Sequence, residues 1–170
     1  MTDRAPGDLE LTATRRLPFP AARVWTACTT KSTIEQWWSP EDLRTTVRRL
    51  EVRPGGEVLF RVRYVPALLT PGSKDVFRAA RIPIAFDLRG KLSEVVLERI
   101  LTFDLTLDIG KAGTGVEMIT KFELNPDGDG TWVKLIARGK ETPHWTTLGQ
   151  QTLEAQLERL EGSVASQGGR

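Results

Sequence analysis

The sequence predicts a single α+β domain in which a long C-terminal helix covers one face of an antiparallel sheet. The middle of the chain carries several runs of alternating apolar and polar residues, the pattern of half-buried strands. Near the C-terminus, an apolar stripe recurs at helical spacing over about residues 145–162. A sheet with one apolar face needs a cover, and this helix is the only predicted element large enough to provide it.

Size and composition are those of one folded domain. The chain has 170 residues, of which 39% are hydrophobic and 27% are charged, as in globular proteins. We expect the domain to span residues 9–162, with flexible tails at 1–8 and 163–170. Prolines and a glycine interrupt the strand pattern at 66–87, which predicts an insertion loop of the kind that often forms lids or binding loops.

A strand and two short helices are predicted before position 40. Residues 9–15 alternate apolar and polar side chains and predict the first strand. Residues 21–29 predict a short helix. Ser32 is placed to cap a second short helix, and Glu35, three residues later, would complete a capping box.

The rest of the chain up to the final helix is predicted to be β, giving about six to seven strands in all. Six segments carry the pattern: 43–52, 58–64, 90–97, 101–109, 116–124 and 132–138. The apolar phase slips between Val47 and Leu50, which predicts a bulge or a bend. Pro54-Gly55-Gly56 predicts a tight turn, since proline presets φ and glycine tolerates positive φ.

Charge and cysteine content restrict the environment and the partners. The net charge is +2, and the basic pairs Arg15-Arg16 and Arg48-Arg49 do not form a stripe with interleaved aromatics, so no nucleic-acid partner is expected. One cysteine, Cys28, allows no intramolecular disulfide and favours a reducing, cytoplasmic location. The polar N-terminus is unlike a signal peptide, and no apolar run is long enough for membrane insertion. The sequence leaves open a homodimer.

No catalytic, metal or cofactor site is predicted. His144 is the only histidine, so a metal site built from several imidazoles is excluded, and no phosphate loop, dinucleotide fingerprint or zinc spacing is present. Cys28 lies on the apolar side of a short helix and is expected to be a buried, inert thiol. Asp104 and Asp108 share one strand face, which we expect to be the solvated outer face because Leu101, Phe103, Leu105 and Leu107 at the alternate positions would fill the inner face.

Four motifs in order resemble one known family. They are Phe19-Pro-Ala-Ala-Arg-Val-Trp25, Ile34-Glu-Gln-Trp-Trp-Ser-Pro40, Val52-Arg-Pro-Gly-Gly-Glu-Val-Leu-Phe60, and Trp145 followed by Leu148, Leu153 and Leu157. Together they resemble the helix-grip fold of the START-related (SRPBCC) superfamily, and within it the C-terminal domain of the activator of heat-shock protein 90 ATPase. The resemblance covers about residues 10–160. It implies a curved sheet wrapped around the long helix, with a cavity between them.

The predicted site is this cavity. The side chains expected to contact a ligand are Trp37, Trp38, Phe60, Tyr64, Phe86, Phe103, Met118, His144, Trp145, Gly149 and Leu153. Gly149 falls on the helix stripe, where glycine costs about 1 kcal/mol relative to alanine, so close packing or space for a ligand should compensate. Arg78 and Arg81, in the insertion, are expected at the cavity mouth, where they would meet an acidic head group. The insertion and His144, which stands where relatives commonly have glycine, both depart from the family pattern.

The leading interpretation is a module that binds a small hydrophobic or amphipathic molecule. One alternative is a cyclase- or hydrolase-like enzyme acting on an aromatic or polyketide-like substrate in the same cavity, which would require His144, Tyr64 or an acid to point inward. A second alternative, from the resemblance alone, is a stress-related cochaperone-like partner of a heat-shock protein. Fold alone does not choose between them, because this fold hosts several functions.

Overall fold

The computed structural model describes residues 8–65, 71, 74, 75, 78, 85–108, 115–140 and 143–167, with the side chains of the last helix described from Gly149 onward. The elements follow in the order β1 (Asp8–Leu17), α1 (Ala21–Thr29), α2 (Lys31–Trp37), β2 (Leu43–Leu50), β3 (Glu57–Tyr64), β4 (Ala85–Val96), β5 (Ile100–Asp108), β6 (Val116–Asp127), β7 (Gly130–Lys140) and α3 (Pro143–Gln167).

The strands form one antiparallel seven-stranded sheet in the order β1-β7-β6-β5-β4-β3-β2. β1 and β2 are consecutive along the chain but lie at opposite edges, and α1 and α2 connect them. The predicted α+β class and strand number are therefore confirmed. β4 begins at Ala85, so the last residues of the predicted insertion at 66–87 already belong to the sheet.

The core lies between the inner face of this sheet and the helices. In β3, Val58, Phe60, Val62 and Tyr64 are buried, while Arg61 and Arg63 between them are exposed, as the twofold repeat of a strand requires. In β5 the same alternation buries the leucines and Phe103, while on the other face Asp108 is exposed and Asp104 is half-buried. α3 covers the inner face with a stripe of almost fully buried side chains: Leu153, Leu157, Leu160 and Val164.

The C-terminal helix is longer than predicted. It ends at Gln167, so residues 163–167 are helical and the expectation that they form a flexible tail was wrong. Val164 explains the difference, because it lies one helical turn after Leu160 and is fully buried. Arg23 of α1 also donates a hydrogen bond to the Val164 carbonyl at 2.8 Å. Among the described helices, none combines the length and apolarity needed to cross a membrane.

The start of α2 also differs from the prediction. Thr30, not Ser32, is the N-cap residue, and no side chain caps the helix there. Glu35 does not reach back to the helix start: its Oε1 accepts a hydrogen bond from the backbone N–H of Val47, at 2.7 Å. β2 is an edge strand, so no neighbouring strand is available to bond the Val47 N–H. Glu35 bonds this group instead of forming the predicted capping box.

The predicted bulge and turn are confirmed. The register between β2 and β3 shifts between Val47 and Arg49. In the turn that follows β2, Gly55 has a φ of 75°, a conformation that favours glycine. The turn is fixed to β4 by two backbone hydrogen bonds, from the Gly55 N–H to the Leu92 carbonyl (2.7 Å) and from the Leu92 N–H to the Gly56 carbonyl (2.9 Å).

Candidate functional site

An aromatic cluster fills the interior between α2 and the middle strands. Its members are Trp37, Trp38, Phe60, Phe103 and Phe122, all buried, with ring centroids between 4.9 and 6.3 Å apart. Trp38 packs edge-on against Phe60 and Phe103, the preferred geometry for aromatic pairs. The Trp37 Nε1–H donates to the Ala27 carbonyl at 3.0 Å. Four of the residues predicted to bind a ligand therefore come together here, in mutual contact.

α3 is held against this cluster by polar contacts at the end of α2. The buried Gln156 donates from Nε2 to the Trp38 carbonyl at 3.1 Å, and Arg159 donates from Nε to the Trp37 carbonyl at 3.2 Å. These bonds satisfy carbonyls that a helix C-terminus leaves without intrahelical partners. Burial lowers the pKa of Arg159, although Glu41, Asp42 and Glu158 act in the opposite direction. The closing helix is thus fixed at this end of the interior.

An apolar pocket lies at the other end of the sheet, where β1 and β6 begin and β7 ends. Its volume is about 60 Å³. Most of its lining is apolar, and the wall consists of Leu9, Leu11, Val116, Glu117, Met118, Ile119, Thr120, Ala137, Arg138, Gly139 and Lys140. Gly139 pairs with Leu9 on one side and Met118 on the other. A Cβ at Gly139 would meet only the Glu117 carbonyl oxygen, at 3.5 Å, so the missing side chain contributes to the open space.

A wider polar groove lies on the opposite, outer face of the same strands, because its charged side chains occupy the positions that alternate with the apolar ones of the pocket. It has a volume of about 500 Å³ and shares Leu9, Met118 and Gly139 with the pocket wall. Its charged lining residues are Asp8, Glu10, Asp104, Glu117, Arg138 and Lys140. Several of these charges are paired: Arg138 Nε lies 2.5 Å from Glu10 Oε2, and Lys140 Nζ lies 2.7 Å from Asp8 Oδ1. The hydrogen bond to Asp8 is the main cause that raises the pKa of Lys140.

The other residues predicted to bind a ligand are spread over several elements. Met118 lines the pocket, whereas Leu153 is buried in the core on α3. Tyr64 is buried at the end of β3, and burial, with a smaller contribution from Asp42, raises the pKa of its phenol. Phe86 is partly buried and packs against the core at the start of β4.

The remaining predictions concern the closing helix and the insertion. Gly149 is buried on α3, and Arg78 is exposed. The side chains of His144 and Trp145, and Arg81 altogether, lie outside the described residues. Sequence reasoning missed Leu9, Leu11, Ala137 and Gly139 as pocket residues. One signal in the sequence could have pointed to Gly139. A glycine inside a strand often marks a place where a ligand or another backbone comes close, because it has no side chain to fill the space.

Within the described part of the chain, no group of His, Cys, Asp and Glu side chains is arranged to hold a metal ion. Cys28 is 1% exposed, and burial raises the pKa of its thiol to about 12. Because the thiolate is the reactive form, both properties suppress its chemistry.

We expect a thiol reagent such as a disulfide of thionitrobenzoate to leave Cys28 unmodified in the native protein at pH 8. In concentrated denaturant the same reagent should modify one thiol per chain, since burial and its effect on the pKa are both lost. The absorbance of the released thionitrobenzoate measures both reactions. Rapid modification of the native chain would contradict the burial of Cys28.

Comparisons with known proteins agree with this architecture. The family model described as Activator of Hsp90 ATPase homolog 1-like protein matches residues 18–165. A crystal structure of a protein from Chromobacterium violaceum is similar over 94% of this chain and 97% of that one, with 22% identity and a TM-score of 0.67. An AHSA1-like protein from Aeromonas hydrophila covers 94% of each chain, with 18% identity and a TM-score of 0.65. A protein from Arthrobacter aurescens, 14% identical, has a TM-score of 0.72 over 93% of this chain and 87% of that one.

No curated protein matches the chain significantly. At these identities the solved structures support the fold alone, but the family model spans most of the sequence. The resemblance read from the four sequence motifs is therefore confirmed: the chain belongs to the family of Activator of Hsp90 ATPase homolog 1-like proteins.

Proposed function

We propose that the protein binds a small hydrophobic or amphipathic molecule whose apolar end enters the pocket. The observation that carries this proposal is the pocket itself, which has a volume of about 60 Å³, a mostly apolar lining and, at Gly139, open space between Leu9 and Met118. Binding sites for small molecules commonly combine an apolar wall with a few polar groups that fix orientation.

The size of the pocket restricts the apolar end of the ligand. A dry cavity of about 150 Å³ holds a benzene molecule in other proteins. A pocket of about 60 Å³ therefore suits a short alkyl end better than a ring. Burying about 100 Å² of such a chain would contribute about 2.5 kcal/mol, so polar contacts outside the pocket must add much of the affinity.

The aromatic cluster adjoins this pocket through one pair of residues. Thr120 lines the pocket and stands directly opposite Phe103 in the β5–β6 register. The predicted ligand contacts of Trp37, Trp38, Phe60 and Phe103 remain predictions, to be tested after the pocket itself.

Other predicted contacts belong to the same proposal. We infer that Tyr64, Phe86, His144, Trp145, Gly149 and Leu153 contribute to the site from the facing strands and the closing helix, and Arg78 and Arg81 from the mouth. A cytoplasmic location also remains our inference. It is supported by the single cysteine, because a lone thiol is compatible with a reducing compartment.

The test is to fill the pocket without disturbing the fold. A panel of lipids and aromatic metabolites is first screened by thermal shift, and native mass spectrometry of the purified protein identifies any co-purified ligand. Gly139→Leu should then weaken binding of the ligand at least tenfold, because the new side chain occupies the space between Leu9 and Met118. The Kd from calorimetric titration measures the effect.

Thr14→Leu provides the matched control. Thr14 is exposed on β1, away from the pocket, so the same side chain added there should leave the Kd unchanged. If Gly139→Leu folds and binds the ligand as tightly as the wild type, the pocket is not the binding site. A wild-type protein that binds no member of the panel and carries no ligand would also count against the proposal.

A further inference from the structure

Three neighbouring strands at one edge of the sheet carry a surplus of positive charge. Strands β2, β3 and β4 together contain seven basic residues and three acidic ones, an excess of four, whereas the whole chain has a net charge of +2. We call the seven exposed basic side chains of these strands the basic face: Arg44, Arg48, Arg49, Arg61, Arg63, Arg89 and Lys91. The rest of the molecule is therefore slightly acidic, and the positive charge is concentrated here.

The acidic residues within the basic face do not neutralise it. Asp87 is shared between Arg61 and Arg89, whose guanidinium nitrogens each lie 3.0 Å from one of its oxygens. Arg49 is paired with Glu57. The third acidic residue of these strands, Glu94, pairs with Lys121 of β6 instead.

Arg44 and Arg63 carry the positive charges that are least compensated by acidic side chains. They stand directly opposite each other in the β2–β3 register, and both are exposed. Within the described part of the chain, neither forms a hydrogen bond or an ion pair with an acidic side chain. Like charges placed opposite each other destabilise an antiparallel pair, so an external anion between them would relieve a cost already present in the fold.

The chemistry of the face favours phosphate groups arranged in a plane. Six of its seven members are arginines, whose planar guanidinium binds phosphate through two parallel hydrogen bonds. They are spread over three adjacent strands, about 4.8 Å apart, and so form a two-dimensional array. The described strands expose no aromatic side chain on this face for stacking against bases, as binders of single-stranded nucleic acid usually do.

We propose that the basic face docks the protein on the surface of an anionic phospholipid membrane, without insertion into the bilayer. The face presents guanidinium groups to a planar layer of phosphates, and each basic residue near such a surface strengthens binding about fivefold. Attraction of this kind is screened by salt, so it should operate at low ionic strength and fade as ionic strength rises. The pocket and the proposed ligand play no part in this inference.

Sedimentation with vesicles tests the proposal on the full chain. The wild type should bind vesicles that contain phosphatidylglycerol, should not bind vesicles of phosphatidylcholine alone, and should be released by 0.5 M salt. Arg44→Gln combined with Arg63→Gln should weaken binding about 25-fold, which is two factors of about five. A second pair, Arg48→Gln with Lys91→Gln, should weaken it to a similar degree.

Arg99→Gln combined with Lys134→Gln is the matched control. It removes the same two charges from the β4–β5 turn and from β7, so vesicle binding should stay within about twofold of the wild type. Far-ultraviolet circular dichroism establishes that each variant is folded. Absence of wild-type binding, or equal weakening by the control pair, would overturn the proposal. Binding to duplex DNA or to an acidic protein in place of vesicles would overturn it as well.

Discussion

Replacing Trp37 with alanine should lower the free energy of unfolding by about 3–5 kcal/mol, which is the usual cost of removing a fully buried large aromatic side chain. Trp37 is 0% exposed and contacts both Trp38 and Phe122. The substitution also leaves the Ala27 carbonyl without the Nε1–H donor. Urea-induced unfolding, followed by circular dichroism, measures the change.

Trp132 supplies the control for this experiment. It is 44% exposed on β7 and lies outside the aromatic cluster, so Trp132→Ala should cost less than about 1 kcal/mol. If both variants lose the same stability, the interior around Trp37 is not packed as the ring distances indicate. A large loss at Trp37 alone supports an interior that is closely packed at this end.

Gly90→Ala should destabilise the protein by about 3 kcal/mol, because the β4–β5 pair leaves no room for a side chain there. A Cβ at Gly90 would lie 1.9 Å from the Asp104 carbonyl oxygen and 2.9 Å from its carbon. Both are backbone atoms, so the strands themselves would have to separate in the middle of the sheet. The midpoint of urea unfolding should fall accordingly.

Gly162→Ala tests the same chemical change where space is available. Gly162 lies within α3, and a Cβ there meets no described heavy atom within 4 Å. Alanine is favoured over glycine inside a helix by about 1 kcal/mol, so this variant should be more stable than the wild type. Shifts of the same sign in both variants would contradict the close approach of β4 to β5.

Features that depend on local spacing were predictable from the sequence. The alternation in β3 and the stripe of Leu153, Leu157 and Leu160 each report burial directly, because a strand repeats every two residues and a helix every 3.6. The phase slip after Val47 gave the bulge in the same way. Family resemblance added the curvature and the order of the elements, which periodicity alone does not supply.

Features that depend on distant residues meeting were not predictable. Leu9, Met118 and Gly139 become neighbours only because β7 pairs with β1 on one side and β6 on the other, and no local pattern specifies that pairing. The same limit applies to Glu35, whose partner Val47 lies on an edge strand. The tryptophans show a different limit, since a large aromatic side chain suits a packed interior and a cavity wall equally well.

The hydrogen bonds that helices make to β1 and β2 also bear on self-association. An incoming strand could extend the sheet only by bonding the outermost backbone groups, and several of these are already occupied. Glu35 accepts from the Val47 N–H, and Gln150 donates to the Thr12 carbonyl at 3.0 Å. Growth of a fibril by strand addition would have to break these bonds first, because they occupy backbone groups that an added strand would need. A homodimer that leaves them intact would have to form through faces or helices.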